Sequence, residues 1–162
     1  MIILSIDTGT TKSGYCFMSD SYELFEHGKL DNEEILNKIY DSDFDTLVVE
    51  MIASYGMSVG QSVFESCIWI GRFIEAATKY KNARIDKIYR KDEKINLCGS
   101  MKAKDSNIRQ ALIDRFAKFD FKNGKGTKNN RDFFYGVSKD AWMAIACAVC
   151  SIDKMNCLGA WS

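Results

Sequence analysis

The sequence predicts an α/β protein: one mixed sheet of five strands flanked by helices, in a single domain over residues 1–162. Three observations predict it. Two apolar runs, Met1–Ile6 and Thr46–Met51, reach an acid at their ends, Asp7 and Glu50. That pattern marks strands buried in the middle of a sheet. The first three strands follow one another across connections too short for a crossover, so they pair antiparallel. The later strands alternate with amphipathic helices, as crossover connections in a sheet require.

Each element has its own signal. Met1–Ile6 is apolar apart from Ser5, and Thr8–Gly14 is a tight turn with two glycines and three threonines. Tyr15–Met18 and Tyr22–Leu30 are the second and third strands. Asp31, with Glu34 three residues on, is a capping box that starts a helix running through Tyr40. Thr46–Met51 is the fourth strand, and Ile52–Gly60 a loop with glycines at 56 and 60. Ser58 with Gln61 caps the next helix, to about Lys79, whose apolar positions include Val63, Phe64, Cys67, Ile68, Ile70, Phe73 and Ile74. Ala83–Tyr89 is the fifth strand. Asp92–Leu97 forms a short helix before a turn at Gly99, and Ser106–Lys118 a longer one. Phe119–Tyr135 is irregular, and Ser138 caps a last helix to about Asp153.

Composition narrows the function. Ten Phe, seven Tyr and three Trp exclude an intrinsically disordered chain. No apolar run approaches the ~20 residues of a membrane span, and the N-terminus lacks a signal-peptide layout, so no membrane partner is expected. The net charge is zero, but it is unevenly spread: residues 72–131 hold 17 Lys and Arg against 7 Asp and Glu, and the rest 5 against 15. A basic segment of this kind suits a polyanion. Cys147 and Cys150 form a C-x-x-C, but inside an apolar helix, with no second pair and the single His27 far away. They are expected as reduced core thiols, not zinc ligands. His27 is expected as a strand-edge residue and not a general base.

The chemistry lies in three acids. Asp7 and Glu50 each end a buried strand, and Asp140 falls in the first turn of the last helix. Neighbouring strands would bring the first two to one sheet edge. Such acids repel one another unless a cation lies among them, and oxygen donors favour Mg²⁺, with Mn²⁺ as a substitute. Two such ions about 4 Å apart can activate water and stabilise the leaving oxygen of a phosphodiester.

Ile6-Asp7-Thr8-Gly9-Thr10 with Gly14, Val48-Val49-Glu50, Ile70-Gly71, Lys102-Ala103-Lys104-Asp105 and Lys139-Asp140-Ala141-Trp142 resemble, in order and spacing, the motifs of RuvC-type Holliday-junction resolvases. The resemblance spans nearly the whole chain and is closest to the short bacteriophage versions. It implies an RNase H-like fold, a homodimer built largely on the helix from Ser58, and cytoplasmic action in a bacterial host. It implies Mg²⁺-dependent nicking of two strands across a four-way DNA junction, leaving 5′-phosphate and 3′-hydroxyl ends. Asp7, Glu50 and Asp140 would be the metal ligands, with Asp7 bridging two ions. Lys104 would sit near the scissile phosphate. RuvC-type enzymes usually carry an acid or histidine three residues before the last aspartate; here that residue is Val137. The fourth ligand is either missing or supplied from elsewhere, with Asp105 and Asp132 as the candidates.

Other residues point to DNA. Tyr55 and Met57 stand in the loop after Glu50, where an aromatic in RuvC-like enzymes pushes into the junction centre. Tyr55 either stacks on an unpaired base there or packs on its own domain. Lys102 and Lys104 precede a helix, and Lys122, Lys125, Lys128 and Arg131, interleaved with glycines, form a flexible basic loop suited to phosphates. Three rival readings remain. Asp7-x-Gly9-Thr10-Thr11 resembles the phosphate loop of actin-like ATPases and sugar kinases, but those need a second domain. A general RNase H-like nuclease would act on RNA–DNA hybrids or flaps. A junction-binding protein without catalysis would bind and not cut.

Overall fold

The computed structural model describes residues 1–119 and 122–160. Five strands and five helices follow in the order β1 (Ile2–Asp7), β2 (Lys12–Ser19), β3 (Leu24–Asp31), α1 (Asn32–Asp41), β4 (Thr46–Met51), α2 (Gln61–Lys81), β5 (Arg84–Tyr89), α3 (Arg90–Cys98), α4 (Asp105–Phe116) and α5 (Ala141–Ala160). The strands form one sheet in the order β3-β2-β1-β4-β5. β1, β2 and β3 pair antiparallel, whereas β1–β4 and β4–β5 are parallel. The expected mixed five-stranded α/β architecture is present.

Side-chain alternation along the central strands sorts the core into two layers. Leu4, Ile6, Leu47 and Val49 face Ile35, Ile39, Phe73 and Ala77 of α1 and α2. Ile3, Val48 and Ile88 face the other way, onto α5, α4 and the Phe134–Trp142 pair. Period two then decides where the acids go. Asp7 follows Ile6 and Glu50 follows Val49, and Ile6 and Val49 are register partners in parallel strands. Both carboxyls therefore emerge side by side at the same end of the sheet, on the α5 face.

α5 is apolar nearly all round. Trp142 through Ser151 are buried without interruption, as a helix central to a packed layer must be. Cys147 and Cys150 lie within it, 0% and 4% exposed.

Some element ends differ from the sequence expectation. β2 starts at Lys12, because its ladder with β3 extends to Asp31. α2 starts at Gln61 with Gly60, not Ser58, as its N-cap. α3 starts at Arg90, directly after β5, where the Asp92 carboxylate accepts the Tyr89 N–H at 2.9 Å. α4 begins one residue early and ends at Phe116, and α5 continues past Asp153 to Ala160. The Asp31–Glu34 cap forms as expected, with Glu34 accepting the Asp31 N–H at 3.1 Å.

Candidate active site

One row across the sheet builds the site. Lys29 of β3 pairs with Gly14 of β2, and Gly14 with Asp7 of β1. The turn before α5 lies over this row. A Cβ on Gly14 would stand 2.1 Å from the Asp140 carbonyl oxygen. The missing side chain therefore lets Asp140 come down beside Asp7. Lys29 Nζ then meets Asp140 Oδ1 at 3.0 Å.

The turn after β1 is tied to itself. Gly9 N–H donates to Ser13 Oγ at 3.2 Å, Ser13 donates to Asn32 Oδ1 at 2.6 Å, and Asn32 Nδ2 donates back to the Gly9 carbonyl at 3.0 Å. These bonds engage the Gly9 amide that a phosphate-binding loop would need free.

The Glu50 flank holds residues that sequence reasoning missed. Arg90 Nε lies 3.3 Å from Glu50 Oε1, and Arg90 Nη1 lies 2.7 Å from Glu93 Oε2. Glu93 is 0% exposed, and its other oxygen accepts the Cys147 thiol at 2.9 Å. Asp105, at the start of α4, is 3.9 Å from Arg90. In the sequence, Glu93 falls in the short helix expected at Asp92–Leu97 and Arg90 in the connection before it, and neither stands out from the charged residues around it. A usable signal did exist: Glu93 and Leu97 are four apart in α3, so Glu93 shares the inward stripe.

Burial governs the acids. It raises the Asp7 carboxyl above its ordinary range, with Asp105 and Asp140 adding to the rise against Glu50 and Arg90. Glu50 is pushed up to about 9, first by burial and then by the charges of Glu93 and Asp7. Burial also raises Glu93, although Arg90 and Cys147 oppose it. The cost is removed when a cation replaces the protons. Glu50 Oε2 is buried without a hydrogen-bond partner, an oxygen suited to a metal ligand. The donors at Asp7, Glu50 and Asp140 are all hard oxygens, which fit Mg²⁺ or Mn²⁺. The Glu50–Glu93–Cys147 group also clusters closely. Its thiol is pushed well up by burial and stays protonated, so it serves as a hydrogen-bond donor to Glu93.

A pH dependence follows for the metal-free chain. Glu50 has a folded pKa of about 9 against an ordinary 4.5, so the folded state holds a proton the unfolded state has released. Its contribution to stability is complete below about pH 4.5 and is lost as pH rises through about 9. In a chelating buffer the melting temperature should therefore fall by several degrees from pH 6 to pH 9, at roughly 2–4 °C per kcal/mol. Glu50→Gln should flatten that fall. A melting temperature that climbs over this range in wild type would contradict the assignment.

The remaining sequence candidates separate clearly. Lys104 is exposed at the N-cap of α4, next to Asp105 on the rim of the site, and Lys102 is exposed just before it. Asp132 belongs elsewhere. Although burial works upward on it, three backbone N–H bonds, from Lys118, Phe119 and Phe133, hold its carboxyl low. It closes the basic loop and has no place among the site acids, which corrects its candidacy as a fourth ligand. Val137 is 1% exposed in the core and offers no donor.

The basic loop is also more ordered than expected. Gly126 and Arg131 form a β-bridge, and Phe134 N–H donates to the Gly124 carbonyl at 3.0 Å. A Cβ on Gly124 would meet Phe134 at 2.9 Å, so the loop is pressed onto the core there. Lys122, Lys128 and Arg131 remain exposed and Lys125 half-buried. Two acids of the basic segment, Asp86 and Glu93, are buried, so its surface is more basic than its composition. In the loop after β4, Tyr55 is 62% and Met57 71% exposed. Tyr55 does not pack on its own domain.

No family model and no curated protein sequence matches the chain. Solved structures do. Thermus thermophilus RuvC superposes with a TM-score of 0.68 at 13% identity, covering 96% of this chain and 97% of that one. The fold is that of RuvC. T. thermophilus RuvC in complex with a Holliday junction substrate gives 0.66 at 12% identity, over 93% of this chain and 92% of that one. Fowlpox virus resolvase with its substrate Holliday junction DNA gives 0.58 at 14%, over 94% and 99%. The RuvC-type sheet is thus complete here, and the RNase H-like fold expected from the motifs is present.

Proposed function

We propose that the chain is a metal-dependent endonuclease that nicks branched DNA, four-way junctions above all. The observation that supports this reading is the placement of Asp7 and Glu50 side by side at one end of the sheet, with Asp140 in the turn lying over the neighbouring Gly14. The two structural neighbours bound to Holliday junction DNA, T. thermophilus RuvC and the fowlpox virus resolvase, support the substrate class.

The residues divide the work. Asp7, Glu50 and Asp140 would hold the metal, Mg²⁺ or Mn²⁺. When bound, it supplies Lewis acidity at the scissile phosphate and lowers the pKa of a water. Lys104, on the rim, offsets charge developing on the phosphate oxygens. Lys102, Lys122, Lys125, Lys128 and Arg131 bind backbone phosphates without reading sequence. The products would be 5′-phosphate and 3′-hydroxyl ends, and the site of action the cytoplasm of a bacterial host.

Two sites serve one junction if the chain is a homodimer. Phe64 and Ile68, one turn apart on α2, are 56% and 64% exposed. Exposed apolar residues at that spacing suit a second α2 across a two-fold axis. Tyr55 and Met57 precede this helix and would reach the junction centre.

The deciding experiment incubates the protein with a labelled four-way junction in Mg²⁺, with linear duplex and an RNA–DNA hybrid in parallel. Paired nicks in the junction alone are expected. Cleavage of the hybrid instead would make the protein a general nuclease of the same fold, and binding without nicks a junction binder. Tyr55→Ala should weaken junction binding by about 5- to 150-fold, since stacking on a base contributes about 1–3 kcal/mol. Linear duplex affinity should stay unchanged. Unaltered junction affinity would remove Tyr55 from the interface.

A further inference from the structure

Arg90 is a charged group of the site to which the nuclease reading gives no task. It opens α3 and meets carboxylates from three elements: Glu93 of α3 at 2.7 Å, Glu50 of β4 at 3.3 Å and Asp105 of α4 at 3.9 Å. A positive charge in the first turn of a helix is placed against the helix dipole. The three acids offset that.

The guanidinium is held from behind. Glu93 is fully buried and is itself fixed on its far side by the Cys147 thiol at 2.9 Å. A guanidinium keeps its charge at every accessible pH, and its planar fork loses little freedom in such a contact. Arg90 is thus a permanent cation built into one flank of the acid cluster.

Its contact with Glu50 is selective. Oε1 faces Arg90, while Oε2 is buried and unpartnered. One Glu50 oxygen is therefore available to a divalent ion, and the other is taken. On the Arg90 side a divalent ion would meet a like charge at short range. The opposite flank, where Lys29 pairs Asp140 at 3.0 Å, is different: both side chains are about half exposed, and the lysine stem is free to swing away.

Resting on the metal-dependent nuclease reading, we infer that Arg90 is a resident cation that takes the place of the second of two divalent ions. The chain then binds a single divalent ion among Asp7, Glu50 and Asp140. Arg90 is a positioning residue: it holds Glu50 by Oε1 and leaves Oε2 for the ion. This replaces the two-ion site the sequence suggested.

The test counts ions on the intact chain. Metal-free wild type, Arg90→Gln and Arg90→Lys are titrated with Mn²⁺ and followed by electron paramagnetic resonance. Wild type and Arg90→Lys should each bind one Mn²⁺ per chain, with the spectrum of an isolated ion. Arg90→Gln should bind two, with the spectrum of a coupled pair. A coupled pair in wild type, or a single unchanged ion in Arg90→Gln, overturns the inference. Should Arg90→Gln fail to fold, Arg90→Met takes its place with the same coupled pair expected, and a single unchanged ion there overturns the inference. Junction nicking by the same wild-type sample separates the two claims. Nicking with two ions bound overturns the role of Arg90 only, whereas no bound ion and no nicking overturns the nuclease reading with it.

Discussion

Asp7→Asn should abolish nicking of a four-way junction while leaving junction binding as tight as in wild type, or tighter. The substitution keeps the size of the side chain and replaces a charged oxygen donor by an amide. A bound ion contributes several kcal/mol at the transition state, so losing its ligand should cost about 10³-fold in rate or more. Binding behaves differently because one negative charge beside the phosphate backbone is gone. Burial already raises the Asp7 carboxyl, so the amide also relieves a buried charge in the metal-free chain, and the variant should melt no lower than wild type at pH 8. Gel assays for nicking and band shifts in chelator read the two halves separately. Wild-type nicking by Asp7→Asn would remove Asp7 from the metal site, and lost binding would mean that Asp7 organises the DNA surface instead.

Gly14→Ala should damage both stability and rate, for a reason that has nothing to do with charge. The added methyl would stand 2.1 Å from the Asp140 carbonyl oxygen and 3.0 Å from its carbonyl carbon. Both atoms are backbone, so no rotamer change relieves the clash. Either the turn before α5 lifts off the sheet or β2 moves against β1. Overpacking of this kind costs typically 1–3 kcal/mol, a fall in melting temperature of roughly 2–12 °C for a chain of this size. Asp140 would move relative to Asp7, and a misplacement of about 1 Å at a reacting centre can cost about 10²-fold. Thermal melting and nicking rate measure the two effects. A Gly14→Ala protein with wild-type rate and stability would show that Asp140 does not depend on this close approach.

The contrast between Asp7 and Arg90 explains how far the sequence could be read. Asp7 and Glu50 were legible because a buried strand writes itself as an apolar run and an acid at its end breaks the run. Once β1 and β4 are neighbours, period two makes the two side chains parallel. The sequence expects Asp140 in the first turn of the last helix, whereas it lies one residue before α5, in the turn over Gly14. Glu93 was not legible, because a charged residue inside a short polar helix looks the same whether it faces water or an arginine. The place of Asp132 is hidden for the matching reason: its three backbone N–H bonds come from residues on both sides of a loop, and no local pattern announces them. The basic loop looked loose because glycine allows mobility, while here Gly124 serves close packing on Phe134.

By itself the sequence determined the α/β class, the five strands, the burial of α5 and the two acids that end strands. These follow from local hydrophobic periodicity, which each segment carries within its own residues. Only the tertiary structure decided that Lys29 meets Asp140, that Arg90 joins Glu50, Glu93 and Asp105, and that Tyr55 stands free in solvent. Those contacts join residues from separate elements, and their energies depend on distance and burial that exist only once the sheet has formed.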